Sequence, residues 1–74
     1  MNETNLIYDF IIENELTSED ALNLLTRVSG YNVEILNNAI YCLTAYHDIE
    51  QLWNCEKDNF YFNDDIKDFY ELEE

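Results

Sequence analysis

Few side chains in this sequence could carry out catalysis or bind a metal ion. Cys42 and Cys55 are the two cysteines, and the single histidine, His47, lies between them. Structural zinc sites pair such ligands at short spacing, which these three residues lack. A catalytic nucleophile needs a neighbouring base and an oxyanion hole, and one histidine and one glycine offer little material for either. We therefore predict no catalytic residue, no metal site and no cofactor, and expect that the protein is not an enzyme.

Three other kinds of site lack their defining residues. Phosphate-binding loops need several glycines, and Gly30 is the only glycine in the chain. Asp64 and Asp65 could be calcium ligands, but their segment lacks the glycine that a calcium loop has at its sixth position. Residues 32–46 could be the second helix of a helix-turn-helix motif, yet they include no lysine or arginine to meet DNA phosphates. The sequence thus predicts neither nucleotide binding nor direct nucleic-acid binding.

Negative charge is the dominant property of the chain. Its 74 residues include 17 Asp and Glu against 3 Lys and Arg, which gives a net charge of −14 and a pI near 4.1. Such a charge opposes binding to nucleic acids and anionic membranes and accelerates association with basic protein surfaces. Met1 is followed by no basic segment typical of a signal peptide, and no long apolar run follows. We therefore expect a cytoplasmic protein with reduced thiols, a basic protein partner and no contact with membranes.

The acidic residues are concentrated towards both ends of the chain. Residues 1–20 contain six acidic residues and no basic residue, whereas residues 21–47 contain only Glu34 and Arg27. Two groups form the predicted partner-binding surface. The junction cluster, at the end of the first predicted helix and the start of the second, comprises Glu13, Glu15, Glu19 and Asp20. The C-terminal cluster comprises Asp64, Asp65, Asp68, Glu71, Glu73 and Glu74.

The apolar spacing predicts a mainly α fold, a small helical domain of three to four helices that spans residues 1–74. Apolar residues recur on one helical face over the first helix, predicted at residues 3–14. Ser18 precedes two acidic residues, an arrangement typical of a helix start, and Gly30 can close a helix in the left-handed conformation. The second helix is therefore predicted over residues 18–29.

The second half of the chain contains further helix starts and one ambiguous segment. Asn32 is a predicted cap for a third helix, and Asp48 with Gln51 resembles a capping box that would restart the helix. In the C-terminal segment we favour a short extended aromatic piece over residues 60–62, followed by a helix from about Asp64. A short hairpin there remains the alternative.

The core and the oligomeric state follow from the uncharged middle of the chain. Five apolar residues on the second and third helices are predicted to be buried: Leu22, Leu25, Leu36, Ile40 and Leu43. A chain of this length supports only a small core, so it gains stability by burying apolar surface against a second copy. We therefore predict a homodimer that associates through the uncharged middle segment.

The composition also resembles that of a known group of proteins. Small size, the acidic ends over residues 2–20 and 48–74, and richness in Asn, Asp, Ile and Tyr resemble the acidic DNA-mimic inhibitors encoded by bacteriophages of low-GC bacteria. More narrowly, the chain is similar to a staphylococcal-phage type that binds the host DNA polymerase sliding clamp. This resemblance implies a host bacterial cytoplasm and carboxylates that occupy a basic DNA-binding channel and block DNA access. A dimer would suit the wide, basic lumen of a ring-shaped clamp.

Other interaction proteins fit the same sequence. Anti-CRISPR proteins share the acidic character, and an antitoxin-like module would bind its partner through an apolar groove, which the aromatic residues Trp53 and Phe60 to Phe62 could form. The two classes differ in their response to salt, because binding driven by charge weakens steeply with ionic strength and groove binding does not.

Overall fold

Each helix of the protein begins at a polar side chain that accepts a hydrogen bond from a first-turn amide. The structure, a computed structural model, describes residues 2–72. Its helices are α1 (Glu3–Glu13), α2 (Glu19–Ser29), α3 (Val33–Thr44), α4 (Ile49–Glu56) and α5 (Asp64–Phe69). The caps are Asn2, Ser18, Asn32, Asp48 and Asn63. These caps satisfy amides that have no partner within the helix, which stabilises helices of only 6 to 12 residues. Among the described residues, no helix is long and apolar enough to cross a membrane.

The predicted mainly α fold is confirmed. The caps Ser18, Asn32 and Asp48 start helices as predicted. The C-terminal segment is a non-helical stretch over residues 61–63 followed by α5 from Asp64, so the hairpin alternative is wrong, and residues 2–72 contain no strand. Asn63 favours the helix over the hairpin, because its side chain caps α5 by accepting a hydrogen bond from the amide of Ile66 at 2.8 Å.

The connections between helices use positive backbone φ angles at a few positions. Gly30 has φ 115° and ψ 150°, an extended conformation with positive φ rather than the predicted left-handed helical one. Ala45 ends α3 in the left-handed region with φ 70°. The chain then restarts at Asp48, where Gln51 completes the cap by accepting a hydrogen bond from the amide of His47 at 2.6 Å. The helix therefore ends after α3 and restarts as α4, as the capping box at Asp48 predicted.

The core is built around α1, which packs against both α3 and α5. Leu6, Ile7, Phe10 and Ile11 of α1 are buried, and Ile66 of α5 and residues of α3 and α4 cover them. Two of the covering residues, Leu36 and Ile40, were predicted to be buried and are fully buried. The buried hydrophobic residues form one cluster, so a single core holds the described helices together.

Helix α2 is less buried than the sequence suggests, because it packs mainly against a single helix, α3. Leu22 is buried as predicted, but Leu25 is only half-buried. The prediction that Leu43 is buried is wrong, since 42% of it is exposed. Leu25 and Leu43 both line an open groove between α2 and α3. Val28, on the apolar side of α2, is 77% exposed.

Candidate acidic binding surface

The junction cluster lies where α1 ends and α2 begins. Its four carboxylate side chains, on Glu13, Glu15, Glu19 and Asp20, are all exposed. Glu15 adopts the left-handed conformation with φ 52°, and hydrogen bonds run from Glu15 N to Ile12 O and from Leu16 N to Ile11 O. This pair of bonds is the Schellman motif, in which the left-handed position is usually glycine. A carboxylate is therefore held at a position where the backbone favours a residue without a side chain.

The C-terminal cluster surrounds α5. Asp64 and Asp65 occupy its first turn, Asp68 follows one turn later, and all three are exposed. Glu71, also exposed, has φ 53° and stands at the left-handed position of a second Schellman motif, closed by a bond from Leu72 N to Lys67 O. The remaining predicted members, Glu73 and Glu74, lie outside the described residues.

Specific hydrogen bonds join the end of α1 to the segment that starts α5. The Asn63 side-chain amide donates to Glu13 Oε1 at 2.9 Å, so the end of α1 is tied to the cap of α5. Asn14 reinforces the contact, because its side chain accepts from Tyr61 N at 2.7 Å and donates to Tyr61 O at 2.9 Å. The same amide donates to Phe10 O at 2.9 Å. The structure therefore places Glu13 of the junction cluster beside the residue that caps α5.

The far end of α5 is tied back to the start of α1. The Tyr70 hydroxyl donates to Glu3 Oε2 at 2.8 Å. Burial raises the pKa of Tyr70 well above its usual value, and the hydrogen bond to Glu3 and the negative charges of Glu3, Glu50 and Asp48 raise it further. The hydroxyl therefore stays protonated in the folded protein at pH values where a free tyrosine would ionise.

Alkaline pH should destabilise the fold through Tyr70. The unfolded chain releases the Tyr70 proton above the ordinary tyrosine pKa of about 10, whereas the folded chain retains it. The free energy of unfolding contributed by this group is therefore fully present below that pH and decreases as the pH rises further. Urea unfolding measured on both sides of that pH should give a shallower decrease for Tyr70→Phe than for the unmodified chain. The same slope for Tyr70→Phe and for Tyr61→Phe, at an exposed tyrosine, would contradict this assignment.

The charge per unit length of the molecule can be compared with that of DNA. The described residues carry 15 acidic and 3 basic side chains, since Glu73 and Glu74 are left out of the total of 17. The molecule measures 36 × 25 × 18 Å. Its net charge of −12 over this long axis amounts to about one charge per 3 Å, against about one per 1.7 Å in duplex DNA. One copy thus has a little over half the linear charge density of the duplex.

The residues considered for metal binding are not gathered into a site. Cys42 and Cys55 are exposed free thiols. The His47 ring stacks on that of Tyr41, with centroids 4.7 Å apart and planes within 7°. Within residues 2–72, no three His, Cys, Asp or Glu side chains are grouped so that they could hold a metal ion.

The sequence reasoning missed the apolar groove between α2 and α3. The groove encloses about 400 Å³, and its lining includes Leu22, Leu25, Ile35, Ala39 and Leu43. The residues proposed as an apolar groove, Trp53 and Phe60 to Phe62, do line a pocket, but they share it with the charged residues Lys57, Asp58 and Lys67. The signal that could have located the groove between α2 and α3 is the apolar face of α2, which includes Ala21, Leu22, Leu25 and Val28.

Comparison with known proteins gives no match. No known protein family matches the sequence, and no curated protein or solved structure is significantly similar to it.

Proposed function

We propose that this protein is a non-catalytic inhibitor that mimics the charge of DNA and occupies the basic DNA-binding channel of a host protein. One observation carries the proposal. The junction cluster and the first turn of α5 are exposed and meet through the bond between Asn63 and Glu13. We infer from this contact that carboxylates of both clusters face one partner, whose Lys and Arg otherwise hold phosphates.

The backbone at Glu15 and Glu71 supports the same proposal. The left-handed conformation costs an L-residue roughly 1–2 kcal/mol, and glycine avoids this cost. Each of the two acidic clusters nevertheless has a glutamate in this conformation. Backbone strain clusters at functional sites, which favours a functional use of these two carboxylates, whereas Ala45 adopts the same conformation only to end α3.

The favoured target is the sliding clamp of a bacterial DNA polymerase, and the favoured source is a bacteriophage. Both come from the resemblance described above to acidic inhibitors of phages. A clamp encircles DNA with a basic lumen, so an acidic protein inside the ring would exclude the duplex. We accordingly place the protein in the host bacterial cytoplasm, in contact with a basic protein and with neither nucleic acid nor membrane.

The test is competition with DNA at several salt concentrations. The protein should displace duplex DNA from a purified sliding clamp, and should itself retain no DNA in the absence of the clamp. Its affinity should decrease steeply with salt, because the screening length shrinks from about 10 Å at 0.1 M to about 3 Å at 1 M. Binding to the clamp that is insensitive to salt, or that leaves DNA in place, would exclude mimicry of DNA at this target.

We further propose that the active species is a homodimer formed through the groove between α2 and α3. Residues 21–47 carry only Glu34 and Arg27 as charged residues, so this face is the one over which two copies of charge −14 repel each other least. Leu25 and Leu43 would lose their remaining exposure in such a contact. A dimer also doubles the number of carboxylates offered to a channel.

Introducing a charge into the groove should separate the dimer. Sedimentation at micromolar concentration should give a dimer for the unmodified chain and a monomer for Leu43→Glu, because a carboxylate would be buried at the contact. Leu24→Glu is the matched control, since Leu24 is 62% exposed and does not line the groove. A monomeric unmodified chain, or a dimer in Leu43→Glu, would be inconsistent with this interface.

The same groove favours a second candidate function. In this alternative the protein is an anti-CRISPR or antitoxin-like interaction module that takes an apolar segment of its partner between α2 and α3. Leu43→Glu would then abolish partner binding at every salt concentration, whereas neutralising the acidic clusters would have little effect.

A further inference from the structure

We propose that Lys57 and Lys67 form a binding site for a carboxylate group carried by an aromatic side chain or ring. They are two of the three basic residues of the chain, and both line one pocket of about 400 Å³. Lys57 follows the end of α4 and Lys67 lies on α5, so the fold brings two cations to a single opening. The two lysines make this site positively charged, unlike the acidic surface. The site does not depend on the function proposed for the acidic surface.

One wall of the pocket consists of aromatic rings that pack against the core. Trp53 and Phe62 are buried, and their rings meet edge to face with centroids 5.1 Å apart. Phe62 packs in turn on Phe10 of the core, at 5.2 Å. Lys57 Nζ lies 5.5 Å from the centroid of the Trp53 ring, a cation–π distance that holds the ammonium group over the wall. The cation and the apolar surface are therefore positioned before any ligand arrives.

The loop that completes the pocket is also held in place. Phe60 and Tyr61 line the pocket, and Tyr61 is 59% exposed. Both backbone polar groups of Tyr61 are bonded to the side chain of Asn14, at 2.7 Å and 2.9 Å. A ligand ring could therefore contact Tyr61 without having to order the loop, which reduces the entropic cost of binding.

The charges and the aromatic wall together select the class of ligand. Ammonium groups bind either carboxylate or phosphate, but the net charge of −14 opposes the approach of an anion in proportion to the charge of that anion. Asp58, which also lines the pocket, adds to this repulsion. Attraction to the two lysines grows with anion charge in the same way, so the aromatic wall decides, because a carboxylate attached to a ring can contact the wall and inorganic phosphate cannot. A C-terminal aromatic residue of another protein and a free aromatic acid share this chemistry.

The test is a titration of the isotope-labelled full chain with N-acetyl-phenylalanine, followed by nuclear magnetic resonance. We expect saturable shifts at backbone amides over residues 53–67, weaker effects with acetate, and none with the uncharged N-acetyl-phenylalanine amide. The double variant Lys57→Gln, Lys67→Gln should weaken binding roughly tenfold or more. Arg27→Gln, which removes the basic residue outside the pocket, should leave the affinity unchanged. No host target is used, so the outcome is independent of the function proposed above.

Three outcomes would overturn the assignment. They are equal binding of the uncharged amide, tighter binding of inorganic phosphate, and equal loss of affinity in Arg27→Gln and in the lysine variant. A far-ultraviolet dichroism spectrum that matches the unmodified chain ensures that the lysine variant is folded. A short peptide ending in phenylalanine distinguishes the two sources. Tighter binding than N-acetyl-phenylalanine supports the site with a protein C-terminus as ligand, and weaker binding supports it with a free acid.

Discussion

Neutralising both acidic clusters should weaken binding to the basic target by at least about 30-fold. Exposed ion pairs contribute roughly 0.2–1 kcal/mol each, so ten Asp→Asn and Glu→Gln changes remove about 2–10 kcal/mol, and 1.4 kcal/mol corresponds to a tenfold change in affinity. Single changes should have small effects for the same reason. The dependence of affinity on salt should also become flatter, because fewer charges remain to be screened. The measurement is a titration of each variant against the target at several salt concentrations.

A matched control separates the acidic surface from net charge alone. The four exposed residues of the junction cluster can be changed together and compared with four exposed acidic residues outside both clusters, Asp9, Glu34, Glu50 and Asp58. Both variants make the net charge less negative by the same amount. Only the variant of the junction cluster should lose affinity strongly. The fold should survive, because Gln at position 13 still offers an oxygen to Asn63. Unchanged affinity after neutralisation of both clusters would rule out mimicry and favour the apolar groove.

Truncating Phe10 to alanine should remove a large part of the stability of the fold. Phe10 is 1% exposed, and its ring packs against Phe62 at 5.2 Å and Phe60 at 6.3 Å. Removing a buried phenylalanine typically costs 3–5 kcal/mol, and a domain of this length has about 4–11 kcal/mol in total. The variant should therefore be largely unfolded at 37 °C, or unfold at a far lower urea concentration, as followed by far-ultraviolet dichroism.

Phe69 provides the control for this truncation. It is 44% exposed and lies on α5, so Phe69→Ala should cost less than about 1 kcal/mol. Similar losses in the two variants would mean that the aromatic contacts around Phe10 are not the centre of the core.

Local signals in the sequence predicted the helix starts well. Ser18, Asn32 and Asp48 each cap a helix within the next three residues, and such bonds depend on neighbours along the chain. Periodicity identified Leu36 and Ile40 as buried for a similar reason. It could not show that Leu43 is partly exposed, because the pattern defines the apolar face of a helix and not which neighbour covers each turn.

The arrangement of the acidic surface depends on contacts between distant parts of the chain. The sequence located the carboxylates, but the bond between Asn63 and Glu13 joins residues 50 positions apart, and the bonds between Asn14 and Tyr61 join residues 47 positions apart. No periodic pattern encodes such pairs. The aromatic side of the second pocket was proposed from the sequence, but its two lysines were missed for the same reason, since Lys57 follows α4 and Lys67 lies on α5.

The left-handed glutamates have a consequence for how the protein would respond to selection. Glu15 and Glu71 occupy positions where glycine would relieve backbone strain, so a laboratory selection for heat resistance alone should enrich glycine at both. Each such change would also delete one carboxylate from an acidic cluster. Thermal tolerance and negative charge are therefore opposed at these two positions, and a more heat-resistant descendant obtained in this way would carry a less acidic surface.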